Sequence, residues 1–73
     1  MAETELKNTI HVHRAMKEWT QEELARRVGV TRKTINTIEN NVFVPSTILA
    51  LKIAKAFDVK VEDLFQLKNH GKK

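Results

Sequence analysis

The 73-residue sequence has no cysteine, one proline and two glycines, so it contains few of the residues that staple or punctuate a small fold. Without cysteine, a disulfide framework, a thiolate zinc site and a cysteine nucleophile are all excluded. A chain of this size must then rely on efficient helix packing, on dimerisation, or on both. No run of about 18 apolar residues is present, and the opening "MAETELKNTI" lacks a signal-peptide core. We expect one soluble domain that stays in the cytoplasm.

Candidates for catalysis or metal binding are equally scarce. The single serine, Ser46, follows Pro45 at a predicted helix start, where its hydroxyl is needed as a cap. His11 and His13 are two residues apart, so on a helix they point in different directions, and no nearby Cys or Asp completes a ligand set. We therefore expect no enzymatic activity, no metal, no cofactor and no small-molecule ligand.

Basic residues outnumber acidic ones by 13 to 9, which gives a net charge of +4. A positive balance invites a polyanionic partner, but one this modest favours nucleic acid only slightly. The position of the charges along the helices therefore matters more than their number.

Hydrophobic periodicity and the sparse turn residues predict five short helices in one domain over residues 6–67, with flexible segments at 1–5 and 68–73. The segment "TIHVHRA" also alternates like a strand. A lone strand would have no sheet to join, so a helix is preferred there. The predicted helices run from Leu6 to Lys17, between Thr20 and Gly29, from Arg32 to about Asn40, from Thr47 to Phe57, and from about Val61 to Gln66.

The start of the second helix carries the clearest local signals. Thr20 and Glu23 are spaced as a capping box, in which each side chain bonds the other residue's backbone N–H. Trp19 and Leu24 stand where a hydrophobic staple would pack. Gly29 ends the helix, because glycine adopts the left-handed conformation without a steric penalty.

The third predicted helix separates its polar and apolar residues. At about 100° per residue, Ile35 and Ile38 share the inner side. The outward arc holds two cations, two amides and a hydroxyl, but no acid; its members are Arg32, Lys33, Asn36, Thr37 and Asn40. These side-chain types suit base edges and phosphate oxygens. A solubilising face would more often mix charges, although a polar face that merely lacks acids is the alternative.

The stretch "TQEELARRVGVTRKTINTIEN", followed by Pro45-Ser46, "ALKIAKAFDV" and "EDLF", resembles the Xre/Cro/phage-repressor-type helix-turn-helix transcriptional regulators. The resemblance extends from about Asn8 to Phe65. It implies an all-α, compact five-helix, lambda-repressor-like domain whose third helix enters the major groove. It also implies a prokaryotic or phage regulator that binds a pseudo-palindromic operator in double-stranded DNA as a homodimer.

The family's contact positions can be transferred residue by residue. The predicted base-reading residues are Arg32, Lys33, Thr37 and Asn36. The predicted phosphate contacts are Gln21, Thr31, Thr34 and Asn40. Arg14 and Glu39 match a family pair that forms a partly buried ion bridge between helices one and three, although a plain phosphate contact by Arg14 is an equal alternative.

The sequence departs from the family pattern in four places. Glu18 replaces a common helix-ending glycine, His13 replaces leucine, Lys60 replaces a serine cap, and Asn41-Val42 replaces Gly-Lys. The last change leaves an apolar loop, Val42–Val44, for which a lid over the core is preferred to an interface.

The end of the domain is also apolar. Leu64, Phe65 and Leu67 offer more apolar surface than one short helix needs, so we expect the dimer contact at helix five and the residues after it. The main alternative function is an antitoxin-like or other protein-interaction module on the same fold, with secondary DNA binding. An RNA-binding or enzyme-linked role is a more distant alternative.

Overall fold

Five helices lie between two short strands in a computed structural model that describes residues 6–68. Most of the segments predicted to be flexible, 1–5 and 68–73, fall outside the described residues. The all-α five-helix prediction is confirmed, and a two-stranded sheet is a minor addition. The elements are β1 (Leu6–Asn8), α1 (Ile10–Lys17), α2 (Gln21–Val28), α3 (Arg32–Glu39), α4 (Thr47–Phe57), α5 (Val61–Leu64) and β2 (Phe65–Leu67).

The sheet corrects the predicted limits of the first and last helices. β1 pairs antiparallel with β2, placing Leu6 opposite Leu67. Helix one therefore does not begin at Leu6, and helix five does not reach Gln66. The segment "TIHVHRA" is helical from Ile10 onwards, and the strand lies just before it. Local periodicity missed this strand because its partner lies at the other end of the domain.

A single apolar core joins all five helices and β2. Every core residue has less than a tenth of its surface exposed: Ile10, Leu24, Ala25, Val28, Ile35, Ile38, Ile53, Ala54, Phe57, Leu64 and Phe65. Trp19 packs against this cluster and stacks on Phe57, with ring centroids 5.2 Å apart. Because α3 contributes Ile35 and Ile38 to the core, its opposite side faces outward.

The limits of α2 and α3 are set by local signals. The Thr20 hydroxyl accepts from the Glu23 N–H at 3.0 Å, and the Thr31 hydroxyl accepts from the Thr34 N–H at 3.2 Å. Gly29 ends α2 with a left-handed φ of 78°. Only half of the predicted capping box forms, because the Glu23 carboxylate pairs with arginines of its own helix instead.

Two of the departures from the family pattern lie at helix ends and are accommodated. Glu18 takes the left-handed conformation, with φ 61°, and its N–H donates to the Ala15 carbonyl. Lys60 has no side-chain acceptor to offer α5, but its N–H donates to the Asp63 carboxylate at 3.1 Å. Within residues 6–68, no helix combines the length and the apolar character needed to cross a membrane.

Candidate nucleic-acid interface

The outward face of α3 is accessible and carries no negative charge. Arg32, Lys33, Asn36 and Asn40 are exposed, and Thr37 is half-buried. The structure therefore presents all four predicted base-reading residues on one helix, on the side away from its buried isoleucines. The surface can offer cationic and amide N–H donors to acceptor atoms.

Glu39, the only acid of α3, is neutralised by Arg14 of α1. Arg14 Nε lies 2.6 Å from Glu39 Oε2, and Arg14 Nη2 lies 3.2 Å from Glu39 Oε1. A third bond runs from Arg14 Nη1 to the Trp19 carbonyl at 2.8 Å. The two side chains are 15% and 8% exposed. The structure thus holds Arg14 in a largely buried pair between α1 and α3, which argues against Arg14 as a plain phosphate contact.

Gln21, at the start of α2, braces α3 through its side-chain amide. Its Nε2 donates to Asn36 Oδ1 at 3.2 Å and to Glu39 Oε1 at 3.3 Å. These bonds use both N–H groups of the amide. Only the amide oxygen is left, and it cannot donate a hydrogen bond to a phosphate. A phosphate contact at this position would fall to the backbone amides of the helix start, where an anion is also favoured by the helix dipole.

The Asn36 side chain is oriented by its neighbours. Its Oδ1 accepts from Gln21 Nε2 and, at 3.3 Å, from Asn40 Nδ2. Its NH2 group is therefore the part that can donate to a ligand. Guanine N7 and O6, adenine N7 and thymine O4 are acceptors that such a donor can reach from the major groove.

The threonines of α3 have less freedom than the exposed cations. The Thr37 hydroxyl donates to the Thr34 carbonyl at 2.9 Å, so it can offer a ligand only an acceptor oxygen and its methyl group. The hydroxyls of Thr31 and Thr34 lie 3.0 Å apart at the first turn. One of these hydroxyls donates to the other, so the remaining hydroxyl proton is the one that can be donated to a phosphate oxygen.

The apolar loop after α3 is exposed, so its predicted role as a core lid is wrong. Val42, Phe43 and Val44 are 70%, 49% and 51% exposed. A cleft of about 320 Å³ lies beside this loop and is lined by Lys33, Thr34, Thr37, Val42 and Phe43. Sequence reasoning missed this cleft, although three apolar residues in a predicted loop were a signal of it.

A second group of cations lies between α2 and α4, where Arg26, Arg27, Lys52 and Lys55 surround another cleft. Arg26 and Arg27 each approach Glu23 Oε2, at 2.6 and 2.7 Å, and Arg27 also lies 4.1 Å from the Trp19 ring centroid. The hydrogen bond from Arg26 holds the pKa of the Glu23 carboxyl below its usual value. Both arginines pair with an acid of their own helix. The residues that line their cleft include none of the predicted DNA contacts.

His11 and His13 lie in different surroundings. His13 Nδ1 lies 3.0 Å from the Thr9 carbonyl oxygen, and its ring centroid lies 5.6 Å from that of Phe57. The imidazole thus packs where the family usually has a leucine, and the contact with Thr9 fixes its orientation. His11 is exposed. In the described part of the chain, no three His, Cys, Asp or Glu side chains come together as metal ligands.

Two short helices joined by a tight turn, the second of which presents an exposed face, are the arrangement of the helix-turn-helix class of DNA-binding domain. The chain belongs to the helix-turn-helix family, whose model matches residues 12–64. The resemblance to regulators of the Xre/Cro/phage-repressor type is thereby confirmed.

Individual relatives support this family assignment. The HTH-type transcriptional regulator YgzD of Bacillus subtilis is 49% identical over 66 residues, which cover 90% of this chain and 100% of YgzD. The crystal structure of the restriction-modification controller protein C.AhdI from Aeromonas hydrophila superposes with a TM-score of 0.70 at 28% identity, over 74% of this chain and 82% of that one. Antitoxin HipB of Escherichia coli is more distant, with 33% identity over 80% of this chain and 62% of HipB.

Proposed function

We propose that the protein is a transcriptional regulator that binds double-stranded DNA sequence-specifically, with α3 in the major groove. The observation that carries the proposal is that the outward face of α3 has no acid. Glu39, the single acid of this helix, is turned inward and paired with Arg14. The family membership supports the same function. A cytoplasmic location at the nucleoid is part of the proposal.

Base reading is assigned to Arg32, Lys33 and Asn36. Among residues 6–68, no acidic side chain pairs with Arg32 or Lys33, so both can donate to guanine O6 and N7 without breaking an internal bond. Asn36 has its NH2 group available. Thr37 would read through its methyl group or as an acceptor, because its proton is already donated.

Phosphate contacts are assigned to the edges of the same surface. Thr31 and Thr34 lie at the N-terminal turn of α3, where backbone amides add to the attraction for an anion. Asn40 lies at its C-terminal end, with one N–H of its amide bonded to Asn36. At Gln21 we assign the contact to the backbone N–H, because the side-chain donors are occupied.

Duplex binding as a function of salt tests the proposal. Preferred sites are first selected from random duplexes, and affinity for a selected and an unrelated duplex is then measured by fluorescence anisotropy from low to high salt. We expect the logarithm of affinity to fall linearly with that of salt, by about 0.9 per phosphate neutralised. The selected duplex should bind about 10³-fold or more tightly than the unrelated one at physiological salt. Weak binding with little salt dependence and no preference would contradict the proposal.

We also propose that the protein binds as a homodimer, through a surface that differs from the predicted one. Leu64 and Phe65 are 0% and 8% exposed and belong to the core, so they cannot supply the contact as predicted, whereas Leu67 is 76% exposed. A cleft of about 380 Å³ next to this strand is lined by Leu6, Pro45, Thr47, Ala50, Leu51, Val61 and Phe65. Leu67 pairs with Leu6 and therefore lies on the same face of the sheet. A second copy placed across this cleft would cover the exposed leucines.

The dimer surface is tested with the double variant Leu51→Lys and Leu67→Lys. Burying two lysines at a self-contact is costly, so we expect the variant to sediment as a monomer at concentrations where the natural protein is a dimer. Its affinity for a complete site should approach that for a half-site. Val12→Lys on α1 is the matched control, since Val12 is 51% exposed, Leu51 is 55% exposed, and Val12 does not line the cleft. Unchanged sedimentation of the double variant would refute this surface.

The similarity to antitoxin HipB supports a second candidate, a protein-interaction module with secondary DNA binding. The same salt titration separates the two functions. A preferred duplex bound with steep salt dependence supports the regulator, whereas weak binding with little salt dependence and no duplex preference supports the module.

A further inference from the structure

We infer that the cleft between α3 and the loop after it accepts the 5-methyl group of a thymine, and that Val42 and Phe43 are additional specificity-determining residues. This inference rests on the proposed function, because it places the loop in the same groove as α3. It adds an apolar reading element to a surface that otherwise offers mainly hydrogen-bond donors.

The loop is folded against α3 by backbone hydrogen bonds. Asn41 takes the left-handed conformation, with φ 62°, and reverses the chain. The Thr37 carbonyl then accepts from the N–H groups of Val42, at 2.9 Å, and Phe43, at 3.2 Å. The two apolar side chains are thus attached to the same turn of α3 that carries Thr37.

Asn8 of β1 also fixes the chain reversal at Asn41. Asn8 Nδ2 donates to the Ile38 carbonyl at 2.9 Å and to Asn41 Oδ1 at 3.1 Å. The β1–β2 sheet therefore reaches the end of α3 through one side chain. The loop is thus fixed by its own backbone N–H groups and by Asn41, the residue before it. It can therefore present Val42 and Phe43 in a defined position.

The lining of the cleft fits an apolar group beside hydrogen-bond acceptors. Val42 and Phe43 supply apolar surface, Thr37 supplies a methyl group because its hydroxyl is bonded to the helix, and Lys33 supplies an aliphatic stem that ends in an ammonium. In the major groove, the thymine methyl lies beside the O4 acceptor, and only thymine presents a methyl group there. The ammonium of Lys33 is suited to that O4 or to an acceptor of the neighbouring base.

The same contacts argue for DNA as the occupant rather than a protein. Two of the five lining residues, Lys33 and Thr37, belong to the proposed reading face, so the cleft is continuous with it. None of the five is acidic. A protein docked here would have to cover the face of α3, whereas a duplex that engages α3 meets the cleft without further rearrangement.

Replacing thymine by deoxyuridine removes only the methyl group and tests the inference directly. We expect the selected site to contain a preferred thymine in each half-site, and deoxyuridine there to weaken binding by the natural protein by about fourfold, the effect of one buried methylene-sized group. Deoxyuridine at other thymines of the site should have little effect. The affinity ratio between the thymine and deoxyuridine duplexes is the readout.

Two variants assign the effect to the loop. Val42→Thr keeps the branched shape but replaces a methyl with a hydroxyl, and Phe43→Ala removes the aromatic wall; both residues are exposed, and thermal melts check that the fold is kept. Each variant should bind the thymine duplex several-fold more weakly and show a thymine-to-deoxyuridine ratio close to one. Val44→Thr is the matched control, because Val44 is 51% exposed but does not line the cleft, and its ratio should stay at the natural value.

The failures are distinguishable. If the protein retains sequence preference and salt dependence but binds thymine and deoxyuridine duplexes equally at every position, the inference is wrong and the proposed function stands. If the ratio persists in both loop variants, the methyl group is read elsewhere and the assignment to Val42 and Phe43 is overturned. Absence of any duplex preference removes the proposed function and the inference together.

Discussion

Glu39→Ala is expected to lower the free energy of unfolding by about 3–5 kcal/mol, because it leaves the Arg14 guanidinium as an uncompensated charge in a largely buried position. Arg14 and Glu39 share two hydrogen bonds, and their side chains are only 15% and 8% exposed. Small domains are stable by roughly 5–15 kcal/mol in total, so the loss should be a large fraction of the whole. Urea denaturation followed by circular dichroism measures it.

The exposed pair on α2 provides the control. Arg26 lies 2.6 Å from the Glu23 carboxylate, as close as the buried pair, but its side chain is 71% exposed. Arg26→Ala should cost no more than about 1 kcal/mol, since solvent screens the interaction and either charge can be hydrated alone. If Glu39→Ala costs no more than Arg26→Ala, the buried pair does not hold the helices together as the structure indicates.

Removing both charges separates stability from function. In the double variant Arg14→Met and Glu39→Met, apolar side chains of similar volume replace the pair, a change that is often nearly neutral for stability. Gln21 loses its Glu39 acceptor in the same variant and keeps only its bond to Asn36, so α3 is held by fewer contacts from α1 and α2. We expect a folded protein that binds its preferred duplex less tightly than the natural protein does.

The sequence predicts the middle of the fold well because the signals there are local. A threonine cap precedes α2 and α3, and Gly29 closes α2, so the limits of both helices follow from neighbouring residues. The ends of the domain could not be predicted in this way. β1 exists only because β2 lies beside it, and that pairing depends on how the chain returns after α5.

The candidate site divides along similar lines. Helical periodicity places the buried isoleucines and the polar arc of α3 on opposite sides without a structure. The resemblance implies that Gln21 both touches phosphate and supports α3, but periodicity cannot give the direction of its amide, and only the structure shows that the amide N–H groups donate to Asn36 and Glu39. Nor could periodicity give the path of the loop Val42–Val44, whose exposure depends on the left-handed Asn41 and on its bond from Asn8.

Arg32→Ala and Lys33→Ala are each expected to weaken binding to the preferred duplex by about 1–3 kcal/mol and to relax base preference at one position of each half-site. Both side chains are exposed on α3, and neither pairs with an acid among the described residues, so their loss should affect the bound state more than the fold. Competition titrations with duplexes that carry single base changes measure both effects.

The pattern of the losses, rather than their size, identifies the readers. Arg26→Ala removes the same charge away from the face of α3, so it should reduce affinity, if at all, equally on every duplex. Gln21→Ala should also weaken all sequences alike, because it removes a brace of α3 and not a base contact, while Asn40 still orients the Asn36 amide. Base-reading residues instead lose affinity for the preferred base pair and little for its substitutes. If Arg32→Ala and Lys33→Ala lower affinity equally on all duplexes, these two residues bind phosphate, and base reading falls to Asn36, Thr37 and the loop beside them.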